Sequence, residues 1–437
     1  MTDLTAKEIV DLNKEYTFYS WSNQGQVNPI PMVKAEGIYF WDADGKRYLD
    51  FASQLVNTNV GHQHPKVVKA IQDQAAKLTF ASPSMATEPR GLLGKKLAEI
   101  TPGDLKKTFF TLGGAEANEN AIKIARFYTG RHKILARYRS YHGATLGAMA
   151  LTGDYRRLPA EPAISGVVHF LDPYCYRCPF GQNGDKDTCC KQCIKHVEEI
   201  IEYEGPDQIA AIFMEGVTGT NGLIIPPDDY WPRIREICDK YGILLVSDEV
   251  MSGWGRTGEW FAVNHWGVVP DIITTAKGIT SGYVPLGAVI VREKIAKFFD
   301  DKVLFAGLTY NGHALACAAA LATIEAYEED KIFENAKKVG KHLGVRLEEL
   351  KAKHLSIGDV RYIGLFSGLE FVKNRETKEP MDLTPLKNFL ISNGVYVFNF
   401  KNVLFVVPPL VITEEQLDEG LDLIDEGLAE LMDKQTV

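Results

Sequence analysis

The chain has 437 residues, 45% hydrophobic and 24% charged, with a formal net charge of −9. That balance is the one expected of a globular enzyme of two or three domains, and its acidic sign argues against a nucleic-acid surface. No apolar run approaches the ~20 residues needed to span a bilayer, and residues 1–8 are polar, with no signal core. A cytoplasmic protein without membrane contact is therefore expected.

Taken in order, residues 5–16 predict a polar helix. Apolar runs on either side of Asp42-Ala-Asp-Gly45 predict a β-hairpin. Helical spacing follows over 65–78 and 88–100. The pair Gly113-Gly114 then leads into an alanine-rich helix from about Glu116 to Thr129. A helix start entered through glycines leaves N–H groups free to bind an anion, although an ordinary helix start has the same look. Strand and helix signals alternate from there: strands over 133–138 and 208–215, a helix over 230–241, and strands ending at Asp248, near Lys277 and at Val291. The alternation predicts an α/β domain with a largely parallel sheet, over 62–330. The rest reads as a smaller α+β domain, drawn from residues 1–61 and 331–437. Its C-terminal part carries helices over 332–354 and 414–433 and strands over 360–372, 395–400 and 403–407.

Two strand ends carry chemistry. One buried run stops at the acid Asp248, and a second stops at the amine Lys277 followed by Gly278. In open α/β sheets the ligand crevice lies beyond the carboxyl ends of the strands, so the two can face one site. Alone, Asp248 reads as a polar strand end and Lys277 as a solvated loop lysine. Together they suit pyridoxal phosphate: the lysine forms a Schiff base with the cofactor aldehyde, and the carboxylate keeps the pyridine nitrogen protonated.

Longer motifs then extend the reading. Asp248-Glu-Val-Met-Ser-Gly-Trp-Gly-Arg-Thr-Gly258 and Pro270-Asp-Ile-Ile-Thr-Thr-Ala-Lys-Gly278 are supported by Asn59-Val-Gly-His62, Tyr141-His-Gly143, Thr309-Tyr-Asn-Gly-His313 and Pro408-Pro-Leu410. In these the chain resembles the class III aminotransferases of fold type I nearly end to end. The resemblance implies a mainly parallel sheet of the seven-stranded type between helices. It also implies pyridoxal 5′-phosphate bound to Lys277, which shuttles a proton, and Asp248 at the ring nitrogen. Val250 would pack one ring face, projecting from the strand on the same side as Asp248, with Tyr141 on the other face and His142 beside it. Gly114 and Ala115 match the phosphate-binding pair, and Glu215 lies near the ring substituents and substrate. Thr309 resembles a residue that reaches the phosphate from a neighbouring subunit, implying a homodimer with a shared site. An amine donor and a 2-oxo acid acceptor would react in turn.

Departures narrow the donor. Where ornithine- and 4-aminobutyrate-type members have Arg, Gln and Arg, this chain has Ala144, Met251 and Phe405, and the movable arginine of ω-amino-acid members falls near Phe398. Candidate anion donors are Arg156 or Arg157, Lys401 and Trp21, each of which also reads as an ordinary surface charge or packed aromatic. The preferred donor is a small ω-amino acid or amino sulfonate such as taurine, with 2-oxoglutarate or pyruvate as acceptor. Alternatives are a 4-aminobutyrate- or ornithine-type enzyme, an intramolecular aminomutase and, remotely, a non-catalytic binding protein. Within an insertion over 173–194, Cys175, Cys178, Cys189 and Cys193 have the spacing of a small zinc knuckle. Free thiols or a disulfide suit the spacing as well, and structural zinc is the less favoured reading. Cys238 and Cys317 are expected in the core.

Overall fold

The computed structural model describes residues 4–181 and 191–435. Its centre is a seven-stranded sheet in the order Leu105–Thr111, Gly287–Arg292, Ile272–Thr275, Leu244–Asp248, Ile209–Glu215, Lys133–Arg137, Val167–Phe170. Gly287–Arg292 runs antiparallel to both neighbours, and the other pairs are parallel. The central strands are short apolar runs because both faces are covered; Ile209–Glu215 is buried at all seven positions. Register sets the site: Glu215 lies opposite Asp248, and Asp248 opposite Thr274. Two acids therefore sit side by side at the carboxyl edge.

The helix Gly114–Thr129 begins two residues earlier than its sequence pattern suggests and stops at Gly130, whose φ of 69° closes it in a left-handed cap. It packs Ala117, Ala121, Ile124 and Ala125 inward. Cys238 and Cys317 are buried, as expected. Two sheet strands give little sequence signal, and both lie at the sheet's edges. Leu105–Thr111 exposes Lys106 and Lys107, and Val167–Phe170 is four residues long.

Two four-stranded sheets complete the fold. One contains Met32–Glu36, Tyr39–Asp42 and Arg47–Asp50, the expected hairpin among them, joined by Val395–Tyr396 from near the other end of the chain. The other contains Ile357–Ile363, Phe366–Phe371, Val403–Val406 and Phe398–Phe400. Residues 360–372 are thus not one strand but part of a hairpin. Gly364, at φ 59°, turns the chain where a Cβ would come within 2.5 Å of the Thr257 carbonyl carbon. Residues 395–400 likewise divide between the two sheets.

Arg256 ties these parts together. It is fully buried, and its guanidinium donates to Leu365 O (3.1 Å), Pro408 O (2.6 Å), Ser53 Oγ (3.1 Å) and Asn59 Oδ1 (2.7 Å). Burial lowers its pKa to about 10. Among the described residues no helix is long and apolar enough to cross a membrane.

Candidate active site

Asp248 is held from several sides. Its Oδ2 accepts from Asn118 Nδ2 and from His142 Nδ1, each at 2.8 Å, and its Oδ1 accepts from the Val250 N–H at 3.0 Å. Asn118 also donates to the His142 carbonyl (2.7 Å) and accepts from Thr274 Oγ1 (2.8 Å), tying helix, loop and two strands to one carboxylate. The bond from the Val250 N–H corrects one expectation. The strand ends at Asp248, and Val250 follows in a turn that this bond curls, so it does not project by strand alternation. Val250 arrives instead against the helix start, where a Cβ on Gly114 would lie 2.8 Å from its Cγ1.

Lys277 follows the neighbouring strand, which stops at Thr275, and takes a left-handed φ of 48°. It is largely buried. Burial lowers its pKa to about 8, against the opposing pull of Asp248 and Glu215. Glu215 accepts from the N–H groups of Tyr141 (3.2 Å) and Gly219 (2.6 Å), and burial raises its pKa. The Tyr141–Gly143 loop presses on the same helix start. A Cβ on Gly143 would lie 2.5 Å from that of Ala115, and Gly143 has φ 140°.

These walls fit a phosphorylated pyridine. The helix Gly114–Thr129 presents its first N–H groups between Val250 and the 141–143 loop, with Asp248 and Lys277 beyond. Any side chain larger than hydrogen at 114 or 143 would fill the space these segments share.

The mouth is aromatic and basic. Arg156 Cζ stands 4.1 Å from the Tyr141 ring centre, 4.8 Å from that of Phe400 and 5.7 Å from that of Trp21. Trp21 meets Tyr141 edge-on at 5.9 Å, and burial raises the tyrosine's pKa. Arg156 is fixed by Asp154 (Nη2 to Oδ2, 2.5 Å) and Thr220 (2.8 Å). Lys401 Nζ lies 5.3 Å from the Tyr155 ring and 5.7 Å from Phe400.

Trp21, Tyr141, Arg156 and Lys401 thus converge. Arg157 turns aside to Glu161 and the backbone of Gly153. Thr309 is exposed, in a segment that also exposes Phe305 and Tyr310. Cys189 lies outside the described residues. Among those described, no group of three or more His, Cys, Asp or Glu side chains is placed to hold a metal. Sequence reasoning missed Asn118 and the clamping role of Arg256. Asn118 had a signal: a polar residue of poor helix propensity inside an alanine-rich helix, one turn beyond Gly114.

A mostly parallel sheet with a lysine and an acid at neighbouring strand ends is the arrangement of the fold type I pyridoxal-phosphate transferases, and solved structures agree. Residues 20–428 match the aminotransferase class-III family, and the chain belongs to it. This family uses pyridoxal 5′-phosphate. A crystal structure of taurine:2-oxoglutarate aminotransferase from Bifidobacterium kashiwanohense, in complex with pyridoxal phosphate and glutamate, is 44% identical. It superposes with a TM-score of 0.95 over 99% of both chains. A leucine/methionine racemase of Thermococcus litoralis is 42% identical, over 92% of this chain and 91% of that protein. The taurine–pyruvate aminotransferase of Bilophila wadsworthia is 37% identical over 98% of each.

Proposed function

We propose that this aminotransferase takes the amino group of a small ω-amino acid or amino sulfonate, with taurine the best candidate, and passes it to 2-oxoglutarate or pyruvate. The observation that carries the reading is the packing of Arg156 and Trp21 on Tyr141, whose N–H is held by Glu215, the strand-end neighbour of Asp248. On this reading Arg156 meets a short substrate's anionic tail while its amine points at Lys277.

Pyridoxal phosphate, when bound, supplies an aldehyde that takes up the amino group and a ring that draws electrons from the substrate carbon. Lys277 holds the cofactor and, once displaced, moves the proton; a pKa near 8 leaves a useful fraction of neutral amine at neutral pH. Asp248 holds the ring-nitrogen proton, and Asn118 and His142 keep its Oδ2 aimed. Val250 and Tyr141 cover the two ring faces, and the N–H groups of Gly114 and Ala115 take the phosphate. Glu215 stands near the ring substituents and fixes the Tyr141 loop through its N–H. Thr309 of the partner subunit completes the phosphate site, which makes the homodimer the working unit. Arg156 orients the donor's sulfonate or carboxylate, with Trp21 closing one side.

Purified protein is to be mixed with taurine, β-alanine, 4-aminobutyrate and ornithine while the bound cofactor's absorbance is followed. Rapid loss with taurine or β-alanine supports the proposal; reaction with ornithine or 4-aminobutyrate alone overturns it. The likeness to the leucine/methionine racemase supports a second reading, interconversion of α-amino-acid enantiomers. Loss of optical rotation from L-leucine with no oxo acid present selects it.

A further inference from the structure

The two cations at the mouth differ in their charge balance. Arg156 is ion-paired: Asp154 meets its Nε and Nη2, Thr220 accepts from its Nη2, and Asn221 donates to the same Asp154 carboxylate. Lys401 has no ion pair among the described residues. Its contacts are the faces of Tyr155 and Phe400, and Tyr155 stacks on Phe400 at 5.9 Å. The backbone fixes its place. Lys401 turns the hairpin between Phe398–Phe400 and Val403–Val406 with φ 51°, and its carbonyl accepts from Asn399 Nδ2 at 3.0 Å. Both cations flank one ring, Phe400, with Arg156 on the crevice side and Lys401 exposed at the rim.

A monoanionic tail needs one cation, and a dicarboxylic 2-oxo acid carries a further charge three carbons out. We infer that Lys401 is a specificity-determining residue for the acceptor. Its ammonium receives the distal carboxylate of a dicarboxylic 2-oxo acid, so the enzyme prefers 2-oxoglutarate to pyruvate. This rests on the aminotransferase reading above but not on the identity of the donor.

The test is the acceptor half-reaction. The holoenzyme is first converted with whichever amine reacts, then given 2-oxoglutarate or pyruvate. Lys401→Met should lower kcat/KM for 2-oxoglutarate about tenfold or more, the loss expected of one charge-assisted contact, and change pyruvate less than about twofold. Lys401→Arg, which keeps the charge, should retain most of the preference. Glutarate gives a second readout without turnover: its binding to the holoenzyme, measured by calorimetry, should weaken in Lys401→Met and more steeply with salt in the wild type. Equal losses for both acceptors, an unchanged 2-oxoglutarate rate, or a wild type that favours pyruvate each overturn the inference. A protein that reacts with no amine overturns the reading of function instead.

Discussion

Lys277 should burden the cofactor-free protein at neutral pH, and the burden can be measured. Its amine titrates near 8 when folded, because burial penalises the cation, and near the ordinary 10.5 when unfolded. Below pH 8 both states carry the proton, so folding bears the full cost of the buried charge. Between 8 and 10.5 the folded protein releases the proton while the unfolded chain keeps it, so stability rises with pH. Above 10.5 the cost is gone. At 1.36 kcal/mol per pKa unit the difference is about 3 kcal/mol. Lys277→Met keeps the length of the side chain and removes the charge. At pH 7 the cofactor-stripped variant should unfold at higher urea than the stripped wild type. The gap should close between pH 8 and 10.5, and comparing the two proteins cancels other groups that titrate there. A gap that is absent at pH 7, or constant from pH 7 to 10.5, would refute the assignment of the shift to burial.

Arg256→Met removes four hydrogen bonds from a charged donor and leaves two carbonyls, a hydroxyl and an amide oxygen without it. Recovered desolvation offsets part of the loss, so about 3 kcal/mol of destabilisation is expected. Thermal unfolding of the holoenzyme should show it, and a midpoint equal to the wild type would remove the clamp from the account. Arg156→Met should raise KM at least tenfold for donors with an anionic tail and leave a donor such as benzylamine within about threefold. Equal effects on both donors would point to a packing role against Tyr141. Asn118→Leu should lower kcat about tenfold or more, because Asp248 loses one of the two groups that fix its Oδ2, with KM for the donor little changed. Unchanged kcat would mean that His142 suffices.

The large sheet was legible where its strands are central. Residues 208–215 and 244–248 are continuous apolar runs, and each ends on an acid because the strand's carboxyl end opens to the crevice. The edge strands were not legible, since exposed positions such as Lys106 and Lys107 dilute the apolar signal. Residues 360–372 look like one strand because both arms of the hairpin carry β-branched or aromatic residues and Gly364 is a single, short break. Strand alternation does not carry Val250 to its place: the bond from its N–H to the Asp248 carboxylate, which no periodicity reports, curls the chain there.

The same contrast separates the reaction class from the substrate. Asp248 and Lys277 come from strands adjacent in the sheet and near in sequence, inside motifs long enough to recognise. The mouth is assembled differently. Trp21 precedes the first sheet, Tyr141 and Arg156 flank a short helix, and Phe400 and Lys401 belong to a hairpin near the other end of the chain. Each segment contributes one or two side chains, and none has a local pattern that states its purpose. What decides their roles is charge balance in space. Arg156 is ion-paired with Asp154, two residues away, whereas the Lys401 ammonium has no ion pair among the described residues and lies over ring faces. A substrate's charge must match that balance, so specificity in this fold can change through the rim hairpin while the strand-end chemistry stays fixed.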